Sequence, residues 1–185
     1  AVLSPDLSEL LDFIDVRNMD PAYTLNDNDT LQGLDCDGTT GVAYQCVLGV
    51  DRVYRFRLDG TFLGSYDSTD CNVFALVGNG NAYIGPFFNG GVLQLIDADT
   101  GVSAGPDLDL STIVGGLNID HADYDDQGHL FCSVGSNGGV GRVYRIDITD
   151  PAAPQLVEII DNDLWDAIEG LLVWADMLVV ASDGS

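Results

Sequence analysis

Carboxylates are the most abundant side chains in this sequence that could do chemistry. The chain has 27 Asp and three Glu against six Arg and no Lys, which gives a formal net charge of -24. Oxygen ligands at alternate positions are what Ca²⁺ takes in proteins, although the EF-hand pattern is absent. The alternative is that these residues only cap backbone amides in turns. We expect calcium binding at closely spaced acidic residues, namely Asp27 and Asp29, Asp67 and Asp70, Asp107 and Asp109, and Asp161, Asp163 and Asp166.

Histidine offers the second kind of chemistry. His121 follows Asp120 and precedes Asp123 by two positions, so it could act as a general base or a metal ligand beside carboxylates. Neighbouring residues of a strand point to opposite faces, so Asp120 and His121 do not both face one cavity in a regular strand. The alternative is a histidine packed between sheets. The GxSxG, HExxH and P-loop motifs are missing from the sequence.

Charge and hydropathy exclude several classes of partner. Nucleic acid and anionic lipid are poor partners for so negative a surface. Apolar residues make up 46% of the chain, which predicts a folded core rather than disorder. We expect no membrane insertion, because no apolar run approaches the ~18 residues that a bilayer-spanning helix needs. An Asp-rich chain without Lys also suits a halophilic or marine setting with abundant cations.

The strands that must position these residues are indicated by a repeat. Arg52–Phe56 recurs as Arg142–Ile146, and a weaker copy lies at Val92–Asp97, which gives a period of about 40 to 50 residues. Each unit contains short apolar runs broken by Gly, Asn and Asp, a pattern typical of β-strands. Short helices are possible at Ser4–Leu11 and Asn162–Ile168. We predict an all-β chain of four-stranded units spanning 30–66, 72–110 and 117–160, with a fourth unit split between 10–25 and 168–182.

Four-stranded units at this period are the signature of a β-propeller. The single domain predicted for residues 1–185 is a small propeller of about four blades, in which strands from both termini share one blade. Two alternatives stay open: a fragment of a larger propeller, and a chain whose N-terminal strands complete a neighbour's blade and build a polymer. In any of these, the connectors between blades lie on the same face as the loops between second and third strands. One face of the disc should therefore be strongly negative.

The cysteines indicate the compartment. Cys36, Cys46, Cys71 and Cys132 form no CxxC pair, so two disulfides in an oxidising environment are favoured over buried thiols. Cys36 and Cys46 flank a hairpin at Asp37–Ala43, and we predict that they pair. Cys71 and Cys132 would then pair between neighbouring blades. These disulfides predict an extracellular or cell-surface protein.

The unit at 117–160 and the strands that follow it resemble a known family of repeats. Ile146–Val157, with Asp147 ending a strand and a turn of Pro151, Ala152, Ala153 and Pro154, is similar to the LVIVD-type propeller repeat. Glu169–Trp174 and Leu178–Ala181 resemble the opening strands of that repeat. The units at 30–66 and 72–110 lack the Pro turn, and Arg57 stands in place of Asp147 in the first of them. The resemblance implies a secreted or surface-attached binding scaffold rather than an enzyme.

A weaker likeness is to the gluconolactonase and regucalcin propellers. Glu169, followed by Gly170 and Trp174, resembles the context of their metal-binding glutamate. That likeness implies a cation in the central channel, held by Glu169, Asp120 and an amide oxygen from Asn72 or Gln32.

Two functions follow from these features. The favoured one is a non-catalytic binding, adhesion or assembly module with an acidic, calcium-binding face and a protein or carbohydrate ligand, or self-assembly by strand sharing. The alternative is a metal-dependent hydrolase of the lactonase or esterase kind with a cation in the channel. The absence of a clear second catalytic residue favours the binding module.

Overall fold

A computed structural model of the chain describes residues 2–3, 10–12, 14–16, 19–23, 25, 29–68, 70–125, 127–134, 141–161, 165, 167–174 and 177–183. Within these residues every regular element is a β-strand. The strands, numbered in chain order, are β1 (Val2–Leu3), β2 (Leu10–Asp12), β3 (Thr30–Asp37), β4 (Val42–Leu48), β5 (Arg52–Arg57), β6 (Phe62–Asp67), β7 (Cys71–Leu76), β8 (Asn81–Pro86), β9 (Val92–Asp97), β10 (Leu108–Asp109), β11 (Ile119–Tyr124), β12 (His129–Val134), β13 (Arg142–Asp147), β14 (Gln155–Asp161), β15 (Ala167–Trp174) and β16 (Met177–Asp183).

The strands form antiparallel sheets whose order follows the sequence. Sheet A contains β3 to β6, sheet B contains β7 to β10, and sheet C contains β11 to β14. Sheet D contains only β15 and β16, and β1 pairs with β2. The turns at 38–41, 49–51 and 77–80 are short, as expected for meandering strands separated by Gly, Asn and Asp. The repeated Arg-Val-Tyr-Arg segments occupy equivalent third strands, β5 and β13.

Successive sheets pack face to face through separate apolar clusters. Tyr44 and Val53 of sheet A meet Phe74 and Ile96 of sheet B, and the rings of Tyr44 and Phe74 stack with centroids 5.2 Å apart. Leu93 joins sheet B to sheet C, and Ile168 joins sheet C to sheet D in the same way. The first strands β3, β7, β11 and β15 are neighbours in succession. Sheets that pack in series around their first strands are the arrangement of propeller blades.

The N-terminal segment covers the outer face of sheet A. Val16 and Leu25 are buried against Val47, Tyr54 and Phe56. The shared blade is not seen among the described residues, because β2 pairs with β1 and sheet D has two strands. The helix predicted to end at Leu11 is wrong there, because Leu10–Asp12 is a strand, and the helix predicted to reach Ile168 is wrong where β15 begins at Ala167.

The predicted cysteine pairing is also wrong. The disulfide joins Cys46 of β4 to Cys71 of β7, with Cα atoms 5.4 Å apart, while Cys36 is exposed and Cys132 is buried as free thiols. In the hairpin register Cys36 lies opposite Ala43, and Cys46 lies opposite Gln32, so Cys36 and Cys46 do not face each other. Packing of sheet A on sheet B brings Cys46 to Cys71 instead.

Candidate functional site

One end of the sheets collects the connectors and the loops between second and third strands. In sheets A and B, the backbone N–H of Ser68 donates to Asp51 O (2.8 Å), and that of Leu110 donates to Gly91 O (2.8 Å). In sheet C the N–H of Gly141 donates to Trp165 O (2.9 Å). Each connector is thus bonded to the loop of its own sheet. We call this end the connector face, and it is where the sequence places the acidic segments.

A groove of about 830 Å³ opens on the connector face and runs between the outer part of sheet A and sheet B. One wall is the end of β6 with the connector that follows it. The other wall is formed by β8, the β8–β9 loop, β9 and Asp107. Three predicted acidic residues therefore meet in one place. The groove is lined by Asp67, Ser68, Asp70, Ile84, Gly85, Pro86, Phe88, Asn89, Val92, Gln94, Gly101 and Asp107.

Phe88 projects from this groove on a tightly bonded loop. Its side chain is 76% exposed, and its ring lies edge-on to that of Phe87 with centroids 4.8 Å apart. The buried amide of Asn89 holds the loop: Nδ2 donates to Pro86 O (2.9 Å) and Ile119 O (2.7 Å), and Oδ1 accepts from the N–H groups of Gly91 (2.9 Å) and Ile119 (3.0 Å). An aromatic ring this exposed is therefore held in place by a structured loop. Sequence analysis missed Phe88, although two adjacent aromatics before Asn-Gly-Gly were a signal for an exposed aromatic turn.

Several predicted calcium ligands, in the groove and elsewhere on the connector face, are already bonded to other groups of the chain. Asp67 pairs with Arg52, and Asp161 pairs with Arg142 (Nε to Oδ2, 3.1 Å). Hydrogen bonds from the Ser111 hydroxyl and from the Ser111 N–H (2.9 Å) lower the pKa of the Asp109 carboxyl. Asp29 lies against Gly49. Asp27, Asp163 and Asp166 lie outside the described residues. Among the side chains that the structure describes, no three of His, Cys, Asp and Glu are grouped to hold a metal ion.

The channel between the first strands holds the second set of predicted residues. A β-bulge interrupts the pairing of each first strand, with Gly33, Asn72, Asp120 and Glu169 as the extra residues. Asn72 Nδ2 donates to Asp120 O (3.2 Å), while Asn72 Oδ1 is buried without a hydrogen-bond partner. The contact that joins these two bulges is thus from the Asn72 amide to the backbone of Asp120.

His121, Glu169 and Gln32 line a cavity of about 460 Å³ in this channel. Burial lowers the pKa of the His121 imidazole, although Asp120, Glu169 and a hydrogen bond to the backbone of Ile168 oppose the change. A neutral imidazole in a channel can accept a proton or ligate a metal. Asn72 and Asp120 do not line this cavity, so the four residues do not converge on one open point.

Two further carboxylates in the first strands were missed by sequence analysis. Asp35 Oδ2 accepts the N–H of Leu76 in the next sheet (2.7 Å), and Asp123 Oδ2 accepts the N–H of Val173 in the next sheet (2.6 Å). Burial, followed by the nearby Asp123 carboxylate, raises the pKa of Asp35 to about 7. Burial also raises the pKa of Asp123. Each residue links the first strand of its sheet to the first strand of the next sheet. Asp35 and Asp123 occupy equivalent positions in β3 and β11, and this repetition was the signal in the sequence that could have identified them.

Neither a protein-family model nor a curated protein sequence matches this chain. Solved structures similar to it are WD40 and other β-propeller-like folds. The luciferin-regenerating enzyme matches with a TM-score of 0.62 at 15% identity, covering 84% of this chain and 54% of that one. The WD40 repeats of RRP9 match with a TM-score of 0.53 at 10% identity, covering 85% and 46%. The fold is thus propeller-like.

A third similar structure is the extracellular domain of a one component system from B. thetaiotaomicron. Its TM-score is 0.51 at 15% identity, and the match covers 88% of this chain and 23% of that one. This chain therefore spans about half the length of the first two structures and about a quarter of the third. In the described residues no helix is long and apolar enough to cross a membrane.

Proposed function

We propose that this protein is a non-catalytic binding module that holds a protein ligand on its connector face. The observation that carries the proposal is Phe88, which is 76% exposed beside a groove while Asn89 fixes its loop through four hydrogen bonds. Exposed aromatic residues supply much of the binding energy of protein interfaces. A rigid loop loses little conformational entropy when a ligand binds. An aromatic side chain and a groove on one rigid face suit ligand capture.

A random peptide display library tests this function without assuming a ligand. The immobilised protein should enrich clones that compete with one another for one site. Phe88→Ser should lose those clones, because it removes the ring and leaves the Asn89 bonds in place. Leu156→Ser is the matched control, since Leu156 is 45% exposed on sheet C, away from the groove. Enriched clones that bind Phe88→Ser as well as the parent protein would refute a groove-based binding function.

An extracellular or cell-surface location is part of the proposal. The disulfide between Cys46 and Cys71 supports it, because disulfides persist in oxidising compartments. The similarity to the extracellular domain from B. thetaiotaomicron is consistent with it. The LVIVD-type repeat, calcium at the acidic connectors and a high-salt setting also remain proposals, supported by the sequence pattern and the charge of -24.

Ring closure by a shared blade also remains a proposal. Leu31 and Leu34 of β3 and Leu171 of β15 line the same cavity, so the first strand of sheet A lies near the first strand of sheet D. That proximity supports a small ring. Strand sharing between chains and a part of a larger propeller are the competing arrangements.

A metal-dependent lactonase or esterase is the second candidate function. It is favoured by the orphan Oδ1 of buried Asn72 beside Asp120, an oxygen that a cation could engage. Asn72 and Asp120 would hold such a cation, which would supply a polarised water. Calorimetry with Ca²⁺, Mn²⁺ and Zn²⁺, followed by lactone hydrolysis assays, tests this function. Equal metal binding by the parent protein and Asn72→Ala, or no hydrolysis with any of the three metals, would eliminate it.

A further inference from the structure

We infer that the groove beside Phe88 takes a cationic peptide segment, one in which Lys or Arg alternates with apolar residues. This inference rests on the binding function proposed above and names the chemistry of its ligand. The groove combines an exposed ring, apolar wall residues and carboxylates within one volume of about 830 Å³. A ligand must match all three features.

The apolar part of the match comes from Phe88, Ile84, Pro86 and Val92. These side chains line the groove together, and Phe88 and Val92 are 76% and 36% exposed. Their contact with a Leu or Phe side chain would remove apolar surface from water. A purely polar ligand would leave the Phe88 ring unused. The ligand therefore needs apolar side chains.

The charged part of the match comes from Asp67, Asp70 and Asp107, which are exposed along the groove. Among the described residues, Arg52, which pairs with Asp67, is the only cation within ion-pair distance of these three carboxylates. Ammonium or guanidinium groups complement carboxylates and also lie favourably over aromatic faces. This chain uses the second contact internally, with Arg52 4.5 Å from the centroid of the Tyr23 ring. A chain with net charge -24 further steers cationic ligands toward this face.

The groove walls are fixed before a ligand arrives. Cys71 directly follows Asp70, and its disulfide to Cys46 ties the connector to sheet A. Asn89 fixes the opposite wall through Pro86 and Ile119. Asp70 has φ of 51°, a left-handed conformation that Asn adopts readily, so Asp70→Asn removes charge without backbone strain. The site can therefore be neutralised without unfolding the protein.

The test uses a fluorescein-labelled peptide of alternating Lys and Leu, and a matched peptide with Glu in place of Lys. Anisotropy at low salt should show binding of the Lys peptide alone. Asp70→Asn and Asp107→Asn should each weaken binding about fivefold, the effect of one partly screened charge pair. Phe88→Ser should weaken it about tenfold or more, as loss of a central aromatic contact does. Glu158→Gln, which neutralises an exposed carboxylate on sheet C, should leave binding within about twofold.

Equal binding to the parent protein and to the Asp70→Asn, Asp107→Asn double variant would overturn the inference, because attraction would then come from net charge alone. Binding of neutral oligosaccharides through Phe88 would also overturn it. The display library separates this failure from failure of the proposed function. Clones that depend on Phe88 but lack Lys and Arg would preserve the binding module and refute the cationic ligand.

Discussion

Asp35→Asn should change the pH dependence of folding stability. Asp35 is held between sheets A and B, where burial and the Asp123 carboxylate raise its pKa from the ordinary 3.8 to about 7. The folded chain thus holds this proton more tightly than the unfolded chain does. The stability that the protonated carboxyl contributes is fully present below pH 3.8 and is lost as the pH rises through about 7.

The size of the effect follows from the two pKa values. Each pKa unit corresponds to about 1.4 kcal/mol, so a rise from 3.8 to about 7 corresponds to about 4 kcal/mol. Asn does not titrate, and its oxygen can still accept the Leu76 N–H. The substitution replaces the second carboxylate oxygen, which accepts the Cys36 N–H, by an NH2 group, and this costs about 1 kcal/mol of stability at every pH. Asp35→Asn should therefore be slightly less stable than the parent at pH 4 and about 3 kcal/mol more stable at pH 8.

Urea unfolding between pH 4 and pH 8 at constant ionic strength measures this difference. Asp37→Asn is the control, because hydrogen bonds from Thr40 and Thr39 lower the pKa of that exposed carboxyl. Stability from Asp37 is present above the unfolded pKa of 3.8 and is lost only as the pH falls below that value, so the difference between the parent and Asp37→Asn should stay nearly constant from pH 4 to pH 8. Asp123→Asn should move the Asp35 transition to lower pH, because it removes a neighbouring negative charge. A difference between the parent and Asp35→Asn that is the same at pH 4 and pH 8 would refute the reasoning.

Three more outcomes are expected. Cys46→Ser should lower the free energy of unfolding by about 3 kcal/mol, because its disulfide joins residues 25 positions apart. Cys36→Ser should leave the free energy of unfolding unchanged, and peptide mapping that joined Cys36 to Cys46 would contradict both expectations. Chelation of Ca²⁺ at constant ionic strength should lower the melting temperature, since an ion at a hundredfold excess over its dissociation constant adds about 2.7 kcal/mol, and an unchanged midpoint would leave the acidic connectors as solvated turns. Removal of residues 1–24 should cause aggregation, because it uncovers the sheet A face at Tyr54 and Phe56; a truncated chain that stays soluble and equally stable would show that this covering is dispensable.

Local pattern was sufficient to predict the strands. The apolar runs predict strands at Thr30–Asp37, Val42–Leu48 and Gln155–Ile160; β3 and β4 have these bounds, and β14 ends one residue later. Short apolar runs bounded by Gly, Asn and Asp specify such strands because the turns need left-handed backbone, as at Asn79 and Gly80. A weak fourth strand predicted near Val102–Leu108, at the edge of sheet B, is only partly formed. It is reduced to a bridge at Ser103 and the two residues of β10.

The repeat period also predicted which acidic segments share one end of the sheets. Asp67, Asp70 and Asp107 line one groove because the connectors between sheets lie at the same end as the loops between second and third strands. The period could not show that Phe88 stands in that groove, since its exposure depends on how Asn89 bonds to Ile119 in the next sheet. That contact joins residues 30 positions apart.

Sequence alone determined most of the strands, the grouping of β3 to β14 into three successive sheets and the acidic composition of their connectors, because these depend on residue type and short-range spacing. Tertiary structure decided the partner of each cysteine and the ionisation of Asp35. Cys46 meets Cys71, and Asp35 meets Leu76 and Asp123, only when sheets pack against each other. Distances between sheets depend on how apolar faces such as those of Tyr44 and Phe74 fit together, and no short segment of the chain encodes that fit.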